Sequence, residues 1–277
     1  MLDDLHPLAA RIAGRSIGLV LGGGGARGFA HLGVLDELEK AGIRVDRFAG
    51  TSMGAVIAGL GARGLNAEAA DGYAYEYFVR HNPISDYAVP SKGLVRGRRT
   101  VTLLHEAFAG LLVEELPKEF RCVSVDLLAR EAVVHRRGVV ADVIGCSLRL
   151  PGLYPPYVYN DRLHVDGGVL NNLPISTLAC PEGPVIAVSI GLGSGGPGST
   201  RSDGPPKVPG IGDTLMRTMT IGSQRETDAC LGLAEVVIRP DTRAVGLLEF
   251  HQIDAAREAG RAAAREALPQ ITALVNR

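Results

Sequence analysis

The sequence predicts an α/β fold in one domain spanning residues 1–277. Three observations carry this. The apolar runs "IGLVL" (17–21), "VDRFAG" (45–50) and "VIAVSI" (185–190) are strand-length and each runs into a glycine or small-residue turn. "FAHLGVLDELEKAGI" separates the first two runs with helical spacing, and "MGAVIAGLGARG" follows the second with a tight glycine and alanine face. Strand–helix–strand–helix with such short turns demands parallel strands joined by right-handed crossovers. A chain of 277 residues, 46% hydrophobic and 21% charged, is long enough to bury a full core.

The elements follow in order. After the first strand, Leu32, Leu35 and Leu38 share one helical face and Gly42 supplies the stop. Residues 71–118 break the rhythm with tyrosines, arginines and "HNPISDYAVPSKGLVRGRRT" before a helical "VTLLHEAFAGLL", and read as a cap inserted over the sheet. "RCVSVDLL" (121–128) and "EAVVH" (131–135) form a hairpin-like pair. A short helix "VADVIGCSL", the proline turn "LPGLYPPY" and "RLHVDGGVLNNLP" come next. The Gly/Pro/Ser-rich stretch 191–210 reads as a mobile surface loop. A helix from about Asp213 to Leu231, a strand "AEVVIRP" and a terminal helix rich in alanine and arginine close the chain.

Composition removes several function classes. A formal net charge of −1 gives no electrostatic reason to expect nucleic acid. The one dense basic cluster is Arg96, Arg98 and Arg99; it reads as solvated surface, with attraction to anionic lipid head groups as the functional alternative. Cys122, Cys146, Cys180 and Cys230 form no C-x-x-C pair and lie at no metal-ligand spacing, so they read as reduced, buried thiols and no metal is expected. The N-terminus lacks an apolar signal core and no apolar stretch reaches the ~20 residues of a spanning helix. A cytoplasmic protein is expected, in contact with a membrane only at its inner face.

"LVLGGGGARG" (19–28) poses the functional question. Gly23, Gly25 and Gly28 satisfy G-x-G-x-x-G between a strand and a helix, the fingerprint of a dinucleotide site, and Asp46 lies about 20 residues on. A ribose-binding acid should end the second strand, whereas Asp46 begins it. What ends that strand is Gly50-Thr51-Ser52-Met53-Gly54, a G-x-S-x-G sequence at a strand-to-helix junction. There the glycines permit a sharp turn and Ser52 projects at a helix N-terminus, a nucleophile's position, although short motifs of this kind also arise by chance.

A nucleophilic serine needs a base. None of the seven histidines sits in a Gly- or Asn-rich turn, and His251, the least poor by chain order, opens a helix. Asp166 ends a short apolar run and is followed by Gly167 and Gly168. Asp-Gly-Gly alone is more often a turn, but beside an exposed serine and a glycine loop it is the best base available.

These three motifs, GGGGARG, GTSMG and DGG in that order, resemble the patatin-like phospholipases, within them the bacterial relatives of the neuropathy-target-esterase catalytic domain. The likeness runs from about Ile17 to Ile190 and includes "SLRLPGLYPPY" and "LHVDGGVLNNLP". It implies a three-layer fold with a mainly parallel central sheet, helices on both faces and an inserted cap. It also implies a Ser52–Asp166 dyad without histidine, with Gly23, Gly24 and Gly25, joined by Met53, as the oxyanion hole. Arg27, Gly50, Gly54, Gly167 and Gly168 are then supporting residues, Asn171 and Asn172 pin the Asp166 loop, and His164 packs beside the dyad. The resemblance implies lysophospholipids, phospholipids or other long-chain acyl esters as substrates and no cofactor. A nucleotide-binding oxidoreductase and a catalytically silent lipid-binding regulator stand as the alternatives.

Overall fold

A computed structural model describes residues 8–89, 91–178, 181–190, 208 and 210–276. The strands are β1 (Gly18–Leu21), β2 (Arg47–Thr51), β3 (Glu119–Asp126), β4 (Glu131–His135), β5 (Tyr157–Tyr159), β6 (Arg162–Asp166), β7 (Val185–Val188) and β8 (Val236–Ile238). The α-helices are α1 (Ala30–Lys40), α2 (Met53–Ala62), α3 (Ala67–Ala74), α4 (Arg98–Phe108), α5 (Val140–Ser147), α6 (Ile211–Cys230) and α7 (Ile253–Val275). The strands form a single mixed sheet in the order β5-β6-β3-β2-β1-β7-β8, with β4 also paired to β3. From β3 to β8 the neighbours are parallel, whereas β4, β5 and β6 pair antiparallel. Every residue of β1, β2 and β7 is buried, as a parallel sheet covered on both faces requires.

Alternation along these strands divides the core between the faces. Leu19, Leu21, Phe48, Ile186 and Val188 belong to the large core made with α1, α2, α5 and α7. Val20, Ala49, Val185 and Ala187 face the other way, against Leu173, Ile175, Leu178 and Cys230 at the end of α6. On the first face α1 and α7 lie close together: a Cβ on Gly260 would collide with the Ala30 carbonyl. Arg261 Nε pairs with Asp36 Oδ2 at 2.6 Å and Arg265 Nη2 with Glu37 Oε1 at 2.8 Å across the same contact.

The registers of β3 place the site. Thr51 at the end of β2 pairs with Val123, and Asp166 at the end of β6 pairs with the next residue, Ser124. Because β4 pairs with Cys122–Asp126 along one edge of β3, β2 and β6 share the other edge and meet end to end. Ser52 and Asp166 therefore arrive at one point from opposite directions.

One expectation changes. A boundary at residue 71 would cut a continuous helix, because α3 begins at Ala67 and runs into a π-helical turn at Tyr75–Arg80. The irregular covering segment starts only after that turn. The loop expected at 191–210 lies, except for Val208 and Gly210, outside the described residues. The helix after it spans Ile211–Cys230, close to the expected bounds.

Candidate active site

The site is built first by the turn between β2 and α2. Ser52 has φ 54° and ψ −126°, a left-handed conformation that costs a β-carbon-bearing residue roughly 1–3 kcal/mol. The turn is tight enough that a Cβ on Gly54 would collide with the Leu21 carbonyl. Neighbouring segments hold it: Ser52 N–H donates to Ser147 Oγ at 2.8 Å, and Ser147 Oγ donates to the Val123 carbonyl at 2.6 Å. Thr51 Oγ1 donates to the Asn171 carbonyl at 2.9 Å. The strained serine is fixed from two sides.

Ser52 Oγ donates to Asp166 Oδ2 at 2.7 Å. Asp166 Oδ1 accepts the Gly168 N–H at 2.8 Å, and its own N–H donates to the Arg149 carbonyl. The carboxylate is 1% exposed, and burial pushes it up to about 6, against the opposing effect of the Gly168 and Ser52 hydrogen bonds. A buried carboxylate raised above the usual carboxylate range and holding the serine hydroxyl has the geometry a general base needs. Among the described histidines none hydrogen-bonds Ser52: His81 meets Glu76, His105 meets Asp142, and His135 and His164 meet Ser124.

The glycine loop lies alongside. Gly22 N–H donates to the Val188 carbonyl at 3.0 Å, and Ala26 N–H to the Leu247 carbonyl at 2.8 Å. Gly25 has φ 57°, where a side chain would be strained and would also strike Leu247. The N–H groups of Gly24, Gly25 and Met53 donate to no described residue. Gly23 corrects the expected set of oxyanion donors: its N–H donates to the Asn172 carbonyl at 3.1 Å and is not free for a ligand. Asn172 Nδ2 returns a bond to the Gly23 carbonyl at 3.3 Å, so this asparagine joins the glycine loop to the Asp166 loop. Asn171 acts through its main chain, donating to the Gly167 carbonyl. Arg27 is buried and its Nε donates to the Val245 carbonyl at 2.7 Å.

A cleft opens over Ser52 and Asp166, bordered by Gly25, Met53, Ile84 and Leu153. A second, narrow cleft lies between α2 and α4, lined by Leu60, Tyr77, Leu103 and Ala107. Phe78, Pro83 and Thr100 border both. The π-helical turn carries Phe78, whose ring stacks edge-on against Phe29 at 6.3 Å.

Sequence reasoning missed His31. It is fully buried, and its Nε2 bonds to the Gly22 carbonyl at 2.8 Å, tying α1 to the start of the glycine loop. Ser147 was also missed, since "GCSLRL" carries no local signal that its hydroxyl receives the nucleophile's N–H. Asp46 takes a purely structural part, its Oδ2 accepting the Ile17 N–H at 3.0 Å. The basic cluster is exposed, with Arg99 Nε donating to the His81 carbonyl.

The patatin-like phospholipase family model matches residues 19–179, a range that contains Ser52, Asp166 and the whole glycine loop. The chain belongs to the patatin-like phospholipase family. It is 40% identical to the "Uncharacterized NTE family protein Rv2565" of Mycobacterium tuberculosis, over 96% of this chain and 48% of that protein. It is 32% identical to "Lysophospholipase nte1" of Emericella nidulans, over 68% of this chain and 13% of that one. The chain thus spans about half the length of its mycobacterial relative. Among solved structures, VipD from Legionella pneumophila matches with a TM-score of 0.51 at 16% identity, covering 92% of this chain and 67% of VipD. At that identity the match speaks for the patatin fold alone. No described helix is long and apolar enough to cross a membrane.

Proposed function

We propose that this patatin-like domain is a serine acyl hydrolase that cleaves lysophospholipids, phospholipids or other long-chain acyl esters. The observation that carries the reading is the 2.7 Å bond from Ser52 Oγ to the buried Asp166 carboxylate on a strained turn at the cavity floor. Ser52 Oγ attacks the ester carbonyl while Asp166 Oδ2 takes its proton. The carbonyl oxygen becomes an oxyanion, and the N–H groups of Gly24, Gly25 and Met53 receive it in the field of the α2 N-terminus. Collapse breaks the C–O bond, and the proton held by Asp166 leaves with the alcohol. Water, deprotonated by Asp166, then attacks the acyl-Ser52 ester and releases the fatty acid and the free serine. Nothing in these steps calls on a cofactor.

The cavity supports an acyl substrate because its border, apart from Ser52, Asp166, Thr100 and Tyr154, is apolar, with Ile84, Leu153 and Phe250 among it. The fungal relative is named a lysophospholipase, which favours lysophospholipids as the first substrate to test. Purified protein should release fatty acid from a long-chain lysophosphatidylcholine, and Ser52→Ala should lose that release while keeping the wild-type melting curve. Equal hydrolysis by wild type and Ser52→Ala would refute the reading, as would no hydrolysis of any acyl ester by the folded wild type.

A further inference from the structure

Beneath the dyad lies a second cluster of reactive side chains that the proposed hydrolysis does not use. His135 at the end of β4, Cys146 in α5 and His164 in β6 converge until one ligand atom from each lies within 4.8 Å of the other two. All three residues are buried, at 7%, 0% and 1% exposure. Ser124 Oγ sits between the rings, 2.7 Å from His135 Nε2 and 2.8 Å from His164 Nδ1. The rings lie 5.3 Å apart centre to centre, and the Tyr159 ring closes the open side at 6.0 Å from His135 and 6.2 Å from His164. The Cys146 thiol lies within this group and forms no disulfide.

We propose that His135, Cys146 and His164 form a binding site for a thiophilic divalent cation of the zinc class. Two imidazoles and one thiolate suit Zn²⁺, whose bonds of about 2.0–2.1 Å to nitrogen and about 2.3 Å to sulfur place tetrahedral ligands roughly 3.3–3.7 Å apart. The three atoms therefore need to draw together by about 1.1–1.5 Å from their present limit of 4.8 Å. Neutral imidazoles and a thiolate are the ligating forms, so binding forms the metal–sulfur bond with release of the thiol proton. The fourth position falls to an oxygen donor, with the Ser124 hydroxyl already between the rings.

Sequence spacing hid the site because its ligands come from a strand, a helix and another strand. The same topology makes the ion a clamp. Cys146 precedes Ser147, which receives the Ser52 N–H, and His164 stands two residues before Asp166 on β6. Bound metal would tie β4, α5 and β6 together behind the dyad. β4 is paired only to β3, so the cluster lies near a sheet edge, with Tyr159 as its cover.

The inference does not depend on ester hydrolysis and is read by spectroscopy. Chelator-stripped wild-type protein is titrated with CoCl₂ and then with ZnCl₂. One equivalent of Co²⁺ should produce a thiolate-to-cobalt band in the near ultraviolet and the visible bands of a tetrahedral ion, and Zn²⁺ should remove both. Cys146→Ser should lose the near-ultraviolet band, and His135→Gln should weaken Co²⁺ binding by about tenfold or more. Far-UV circular dichroism of each variant reports folding, and either folded variant suffices. No thiolate band in wild type would overturn the proposal. So would a band that survives Cys146→Ser, because another cysteine would then be the ligand, or an affinity unchanged in His135→Gln.

Discussion

Two buried titratable residues, Asp166 and His31, carry distinct signatures. Asp166 is held near 6 by burial, so its base form is lost as the pH falls through that value. With chelator present, kcat/KM for an acyl ester should show an acid limb near pH 6, and a flat profile down to pH 4.5 would contradict the assignment. Asp166→Asn keeps the shape but cannot accept a proton, and should lower kcat by at least about a hundredfold with little change in melting temperature. His31 acts on stability. Burial pushes its ring down to about 4, from the usual 6.5 of an exposed histidine, against the opposing effect of its bond to the Gly22 carbonyl. The unfolded chain therefore takes up a proton below pH 6.5 that the folded protein refuses, and stability falls between about pH 6.5 and 4. His31→Gln should flatten that fall in urea titrations across the range, and an unchanged slope would show that His31 is not its source. These are the residues that sequence reading handles least evenly. Asp166 stands out through its two glycines, whereas His31 looks like any helical histidine until the fold brings the Gly22 carbonyl to it.

Elements transmit these effects. α1 carries His31, and α7 holds α1 in place through a helix contact so close that Gly260 has no room for a Cβ. Gly260→Val should force the helices apart at about 1–3 kcal/mol, lowering the urea midpoint. A midpoint within error of wild type would mean that the α1–α7 contact is not tight in solution. In the glycine loop, Gly25→Ala combines a left-handed φ with a collision at the Leu247 carbonyl. Displacing even one oxyanion donor should lower kcat by roughly a hundredfold or more while leaving substrate KM within a few-fold. The periodicity of "FAHLGVLDELEK" and the strand-helix junction at Ser52 were legible because local spacing dictates them. The π-helical continuation of α3 was not, since its extra residue per turn comes from packing Phe78 against Phe29 and Phe250. The loss of the Gly23 N–H to Asn172 was equally hidden, because those residues are 149 positions apart.

At the scale of the molecule, a parallel sheet meets an antiparallel wing at β3, and Ser52 and Asp166 sit where β2 and β6 end against each other. That junction cannot be read from either motif alone, although the order of the motifs along the chain foreshadows it. The two adjoining cavities extend the site away from the sheet, with Phe78, Pro83 and Thr100 between them. A long acyl chain reaching past these residues would occupy the second cavity. Ala107→Leu should then shift preference toward shorter esters. Loss of burial for two methylenes, about 1.6 kcal/mol, corresponds to roughly tenfold in the long- to medium-chain ratio of kcat/KM. An unaltered ratio would place the chain elsewhere. The central claim, that Ser52 is a nucleophile activated by Asp166, is tested most directly by reaction with a fluorophosphonate followed by peptide mass spectrometry. The account predicts one adduct on Ser52 in wild type, none in Ser52→Ala, and markedly slower labelling in Asp166→Asn. Labelling at another serine, or a rate unchanged in Asp166→Asn, would contradict it.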